Sequence, residues 1–237
     1  MTGILYLIPC PIAEEGGVYE VTPAANKAVI DSLDYFIVEN TRSARRFLSK
    51  AKIERTIDSL EFRELNEHTV AGREVEELVR PIVEGRSAGV ISEAGVPGVA
   101  DPGALVVEMC HRKGIKVVPL VGPSSIILAM MASGLNGQSF AFNGYLPVKP
   151  PERAKAIRFF ERRAQTEGQS QLFIEAPYRN VKLIEQLFAV CAPDTKLTIA
   201  ADLTAPAEYI ATHTIKEWRT IRLPELNKRP ALFILGI

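Results

Sequence analysis

The residues at 92–103, SEAGVPGVADPG, are the segment of this sequence best suited to holding a small ligand. They fall between a strand pattern and a helix pattern, and Gly95, Gly98 and Gly103 permit close backbone approach or positive φ. In an open α/β sheet such a loop leaves the carboxyl end of a strand, where ligands bind. A tight turn needs the same residue types, so both roles stay open on this segment alone. Its spacing is not G-x-G-x-x-G, the chain holds no G-x-x-x-x-G-K-[ST], and the one G-x-S-x-G, GRSAG at 85–89, leads from a helix pattern into a strand rather than from a strand into a helix. Nicotinamide, P-loop and serine-hydrolase chemistry are therefore set aside. LVGPSSI, at 120–126, ends an apolar strand with hydroxyls that either cap the next helix or reach a ligand. FIEAPYR, at 173–179, brings Glu175 and Tyr178 off another strand end. There Arg179 either meets an anion or serves as surface charge.

Cations gather in two places. Arg42, Arg45, Arg46 and Lys50 recur at helical spacing and share one face. Lys149, Arg153, Lys155, Arg158, Arg162 and Arg163 form a second group, opposed only by Glu152 and Glu161. Lys plus Arg is 28 and Asp plus Glu is 28, so the chain is neutral and any polyanion site has to be a local patch. Such patches suit a phosphate backbone, or else a solvated helix face. Cys10, Cys110 and Cys191 are odd in number and far apart, and His68, His111 and His213 are isolated. We therefore expect neither a disulfide framework nor a metal site. The amino-terminal apolar run has no preceding cation, the first lysine being Lys27. The longest apolar stretch, 126–132, is far below a membrane span. The expectation is a cytoplasmic protein with reduced thiols and no membrane association.

The elements that must position these residues alternate. Strands are expected at 4–8, 35–38, 89–92 and 115–121. Helices are expected from Thr22 and Pro23, as N-cap and N1, through 33, then at 41–50, 70–84 and 104–113, the last closed by Gly114. Residues 53–60 read as extended or loop. The pattern restarts with helices at 125–133, 153–164 and 181–188 and strands at 140–145, 171–175 and 197–202. It closes on a hairpin-like pair at 208–214 and 231–235. With 47% hydrophobic and 24% charged residues over 237 positions, this is a globular α/β protein. Two domains are expected, 1–119 and 120–237.

Read together, LIPCPI, ENTR at 39–42, NE at 66–67, SEAGVPGVADPG, GIKVVPLVGPSS, SGL, GYLPVK and EAPYR resemble the tetrapyrrole-methylase superfamily of S-adenosylmethionine-dependent methyltransferases. The greatest likeness is to its bacterial small-subunit rRNA cytidine 2′-O-methyltransferase branch, and it covers roughly residues 4–210. The resemblance implies two α/β domains with a ligand cleft between them, S-adenosylmethionine as cofactor, and a homodimer. It assigns Gly95, Val96, Pro97 and Val99 to the methyl donor, with Asp101 near it and Pro9 at the mouth of the cleft. Ser124, Ser125, Ile174, Leu203, Thr204 and Ala205 are assigned to the same cleft. The sequence departs from that branch at CPIAEEG (10–16), at Asn40, at AADLTA (200–205), and at Arg229 and Pro230. It also ends about where that branch would add a C-terminal helical module.

A sulfonium donor carries its own leaving group, so such a protein chiefly aligns the acceptor, the methyl carbon and sulfur. A ribose hydroxyl is a poor nucleophile, and a carboxylate would help take its proton. Glu39, Glu67 and Glu175 are the candidates, with Arg42 beside Glu39 in ENTR. An RNA partner, either rRNA or the small ribosomal subunit, would meet Arg42, Arg45, Arg46, Lys149, Arg153, Arg158 and Arg179. Three functions are carried forward: an rRNA 2′-O-methyltransferase, a small-molecule methyltransferase of the tetrapyrrole type, and a catalytically inactive donor-binding relative.

Overall fold

The computed structural model describes residues 2–65 and 72–237. The chain divides into two compact units, Met1–Ser124 and Ser125–Ile237.

The first unit runs β1 Ile4–Ile8, α1 Val18–Val21, α2 Asn26–Ser32, β2 Tyr35–Val38, α3 Thr41–Lys50, β3 Glu61–Glu64, α4 Arg73–Val83, β4 Ala88–Ile91, α5 Gly103–Arg112 and β5 Lys116–Pro119. Among the described residues its strands form one sheet in the order β3-β2-β4-β1-β5, with every pairing parallel. β2 and β4 are buried along their whole length, as continuous apolar runs covered on both faces should be. The helix expected from Thr22 begins differently. Thr22 ends α1, its hydroxyl and backbone N–H both donating to the Val18 carbonyl, and α2 starts only at Asn26. A short 3-10 turn, Ile57–Ser59, lies in the stretch read as loop, and β3 was not anticipated.

The second unit runs α6 Ser125–Ser133, β6 Phe140–Tyr145, α7 Pro150–Glu167, β7 Ser170–Ile174, α8 Asn180–Val190, β8 Lys196–Ala201, β9 Tyr209–Thr214, α9 Ile215–Trp218 and β10 Ala231–Gly236. α7 is longer than its apolar spacing implied. Pro150 and Pro151 occupy its first turn, where their missing N–H groups cost nothing, and Gly168 closes it in the left-handed region. The expected hairpin of residues 208–214 with 231–235 does not form. The sheet order is β6-β7-β10-β8-β9, so β9 pairs with β8 while β10 sits between β7 and β8, antiparallel to both. Strand pairing follows the burial of β10, whose six residues are all buried. An outer position beside β9 would leave half of that strand in water.

Among the described residues, no helix is long and apolar enough to cross a membrane.

Candidate functional site

β4, β1 and β5 are neighbours in the first sheet and point the same way, so the loops that follow them leave one end together. Two backbone hydrogen bonds join the first two loops. Cys10 N–H donates to the Gly95 carbonyl at 2.8 Å, and Gly95 N–H donates to the Cys10 carbonyl at 3.1 Å. The loop after β5 lies against the loop after β1, because a Cβ built on Gly122 would stand 2.3 Å from both Cβ and Cγ of Pro9. Three glycine- and proline-containing loops are thereby fixed to one another where a parallel sheet binds ligands.

Gly95 has φ +70, a conformation other residues adopt at a cost, and its backbone is buried at the bridge. Asp101 braces the segment from within. Its carboxylate accepts from Gly98 N–H at 2.9 Å and from Gly103 N–H at 2.6 Å, which folds the loop onto the start of α5. Burial raises the Asp101 carboxyl above its usual value, and the two N–H groups oppose that shift. Val96, Pro97, Gly98 and Val99 then line a cavity of about 560 Å³ with Leu7 and Leu120, and Val99 is half exposed in it. That size and apolar lining suit a small organic ligand.

Glu39 follows β2 at the same end of the sheet. It is half-buried, its Oε2 accepts from Glu93 N–H at 3.3 Å, and it borders the recess that contains Asp101 and Ser92. The Asn40 side chain caps α3 by accepting from Arg42 N–H and Ser43 N–H. The departure at Asn40 therefore supplies the helix with its cap. Glu67 lies outside the described residues.

On α3 both Arg42 and Lys50 are exposed without an ion pair among the described residues, and of the two only Lys50 makes a side-chain hydrogen bond there, to a backbone carbonyl. Arg45 pairs with Asp58. Arg46 stands 3.7 Å from the Glu14 carboxylate, and Lys50 Nζ donates to the Glu14 carbonyl at 2.6 Å. The CPIAEEG departure thus turns its glutamate toward the basic helix. Exposed pairs of this kind are worth about 0–1 kcal/mol, so a phosphate can displace them.

The second cationic group needs one correction. Arg153 is buried on the face of α7 that carries Ile157, Glu161 and Ala164, with Nε donating to Gln186 and Nη1 3.8 Å from Glu175. It is not available to a polyanion. Arg158 is exposed without an ion pair among the described residues, and Lys149 is exposed 3.6 Å from Glu152. Spacing would have found Arg153, since it stands four residues before Ile157 on the apolar stripe.

Glu175, considered as a proton acceptor, proves to be a structural anion. Its side chain is fully buried, accepting from Ala176 N–H at 2.7 Å and from Arg179 Nε at 2.8 Å, with Arg153 on its other side. Oε2 makes no hydrogen bond, because Arg153 reaches it only at ion-pair distance. Ile174, at the end of β7, packs with Leu203 in one apolar cluster, and Leu203 is buried there. Thr204 takes positive φ in the turn after β8, and Ala205 N–H donates to the Asp202 carbonyl. The two remaining departures meet each other, since the Arg229 guanidinium pairs with the Asp202 carboxylate at 2.5 Å.

Among the described residues no group of histidine, cysteine and carboxylate side chains could hold a metal ion. All three thiols are buried. Burial pushes Cys10 up to about 12 and Cys110 to about 11, and it raises Cys191 as well, with Glu161 adding to the effect. Because the thiolate is the nucleophile, native protein at neutral pH is expected to resist iodoacetamide while unfolded protein takes it at all three cysteines. Mass spectrometry with and without denaturant measures this, and native labelling of Cys10 would contradict its placement.

A parallel sheet whose β4 and β5 loops border one cavity, followed by a unit built on a mixed sheet, defines a two-unit α/β ligand-binding protein. Residues 16–218 match the family Tetrapyrrole (Corrin/Porphyrin) Methylases, and the chain belongs to that family. It is 31% identical to the Ribosomal RNA small subunit methyltransferase I of Vibrio cholerae, over 98% of this chain and 76% of that protein. The crystal structure of the methyltransferase CobJ shares the fold at a TM-score of 0.63 and 18% identity, covering 99% of this chain and 94% of that one. A Thermus thermophilus uroporphyrin-III C-methyltransferase complexed with S-adenyl homocysteine aligns at a TM-score of 0.51 and 17% identity, over 99% and 97% of the two chains.

Proposed function

We propose that the protein is an S-adenosylmethionine-dependent methyltransferase that methylates a ribose 2′-hydroxyl of small-subunit rRNA. The observation that carries this is the 31% identity, spanning nearly the whole chain, to a small-subunit rRNA methyltransferase.

The residues present fit the donor. The cavity beside 96–99 has apolar walls for a purine, and space is open where a Gly98 side chain would project. Gly95, Val96, Pro97 and Val99 would hold it, with Asp101 keeping their loop in shape and Pro9 fixing the neighbouring loop. Ser124 closes the first unit, while Ser125, Ile174, Leu203, Thr204 and Ala205 belong to the second. All six are assigned to the donor on family likeness. When bound, S-adenosylmethionine supplies a methyl group on a positively charged sulfur. The loops would align the acceptor with the donor and keep water away. Glu39 is assigned to take the hydroxyl proton, and Arg42 to hold the adjacent phosphate.

The protein is further assigned to the cytoplasm and to a homodimer, in keeping with its buried, unpaired cysteines and its family. Light scattering that returned the monomer mass at micromolar concentration would remove the dimer. The deciding experiment for function is transfer of a tritiated methyl group. Label in small-subunit rRNA supports the assignment, label in a tetrapyrrole replaces it with small-molecule methylation, and no label in either leaves a donor-binding protein without turnover. Arg42→Ala is expected to lower rRNA methylation more than Arg158→Ala, with each flattening the log–log salt dependence of RNA binding by about one unit. Equal methylation by both variants would remove Arg42 from the site.

A further inference from the structure

Away from the glycine loops, the second unit carries an exposed aromatic and cationic cluster that methyl transfer itself does not use. Tyr145 closes β6 opposite Ile174, and Tyr178 leaves β7 four residues after Ile174, in the 3-10 turn Pro177–Arg179. Both rings face solvent, at 62% and 66% exposure, although large aromatic side chains are ordinarily buried. Arg179 is associated with both. Its guanidinium carbon lies 5.3 Å from the Tyr178 ring centre, and the Tyr145 phenol is near enough to bear on its charge. The cation is also held still. Nε donates to the buried Glu175 carboxylate at 2.8 Å, Nη2 forms an ion pair with the same oxygen at 2.6 Å, and Arg153 occupies the other side of that carboxylate. Two guanidiniums share one carboxylate, which leaves a net positive charge beneath the rings. Lys228 N–H donates to the Pro177 carbonyl at 3.1 Å, and this brings the exposed Lys228 to the same turn.

Exposed aromatic faces beside a fixed cation are how proteins grip single-stranded nucleic acid. The faces stack on bases and the cation meets the backbone. A duplex offers no free base faces to such rings. We propose that Tyr145 and Tyr178 are stacking platforms for unpaired nucleotides of the RNA substrate, with Arg179 between them on the phosphate. This rests on the rRNA assignment above and adds to it the single-stranded character of the segment bound.

The test uses the full chain and a short fluorescent single-stranded RNA, measured by anisotropy against an abasic backbone of equal length. Wild type is expected to bind the base-bearing strand at least about fivefold more tightly. Tyr178→Ala and Tyr145→Ala should each weaken it by about 5- to 100-fold, and Tyr178→Phe should restore it because the ring remains. Donor affinity by calorimetry should be unchanged in all of these variants. Abasic RNA bound as tightly as the base-bearing strand, or alanine variants bound like wild type, would overturn the platform. If those variants bind like wild type while rRNA is still methylated, the platform fails and the function stands. If stacking is lost in them but rRNA is never methylated, the function fails and the platform stands.

Discussion

Glu175→Gln is expected to destabilise the protein by about 3–5 kcal/mol, the cost of leaving buried cations without their counter-charge. Arg153 and Glu175 are 7% and 0% exposed in their side chains, so little solvent is available to screen the loss. Arg179, at 22%, is partly wet and draws the figure toward its lower end. Glutamine preserves shape and an acceptor for Ala176 N–H, which isolates the charge. Denaturant unfolding followed by circular dichroism gives the value. A Glu175→Gln protein as stable as wild type but without methyl transfer would make Glu175 the proton acceptor and reverse its placement as a brace.

Gly122→Ala is expected to cost about 1–3 kcal/mol and to weaken donor binding, because it forces an added carbon into the Pro9 ring. The separation of 2.3 Å is below the 3.0 Å that real Cβ contacts essentially never breach. Pro9 cannot swing aside, since the next residue, Cys10, is tied to Gly95 by backbone hydrogen bonds. Gly95→Ala separates sterics from strain. Its Cβ would meet only ordinary contacts, the nearest 3.4 Å away, but φ +70 costs an alanine about 1–2 kcal/mol. Thermal melts and donor calorimetry on both variants measure the two costs. An unchanged melting temperature in Gly122→Ala would show that the loops are not held together as described.

What the sequence made legible was set by local chemistry. β1, β2, α3, α6 and β6 fall within their expected limits because apolar runs, caps and turn residues mark both ends. β3 escaped because EFRE is a polar edge strand without the alternation that marks a half-buried one. The place of β10 escaped for a different reason. A strand buried on both faces is recognisable from its residues, but its partners are chosen by the whole sheet. The same division runs through the site. Glycine-rich loops at strand ends could be read directly, whereas the Cys10–Gly95 bridge, the contact of Gly122 with Pro9 and the pairing of Asp202 with Arg229 depend on distant segments meeting. The cations were counted correctly but their directions were not, which is how buried Arg153 came to stand beside exposed Arg158.

The central position of β10 bears on how the chain is made. Every strand of the first sheet lies within residues 4–119, so that unit can close while later residues are still being synthesised. The second cannot. Until residues 231–236 emerge from the ribosome, β6–β7 and β8–β9 are separate ribbons, each with a bare edge facing the gap that β10 will fill. A nascent chain halted just before Ala231 would therefore carry a finished first unit and a second unit open along its middle, the state most in need of a chaperone.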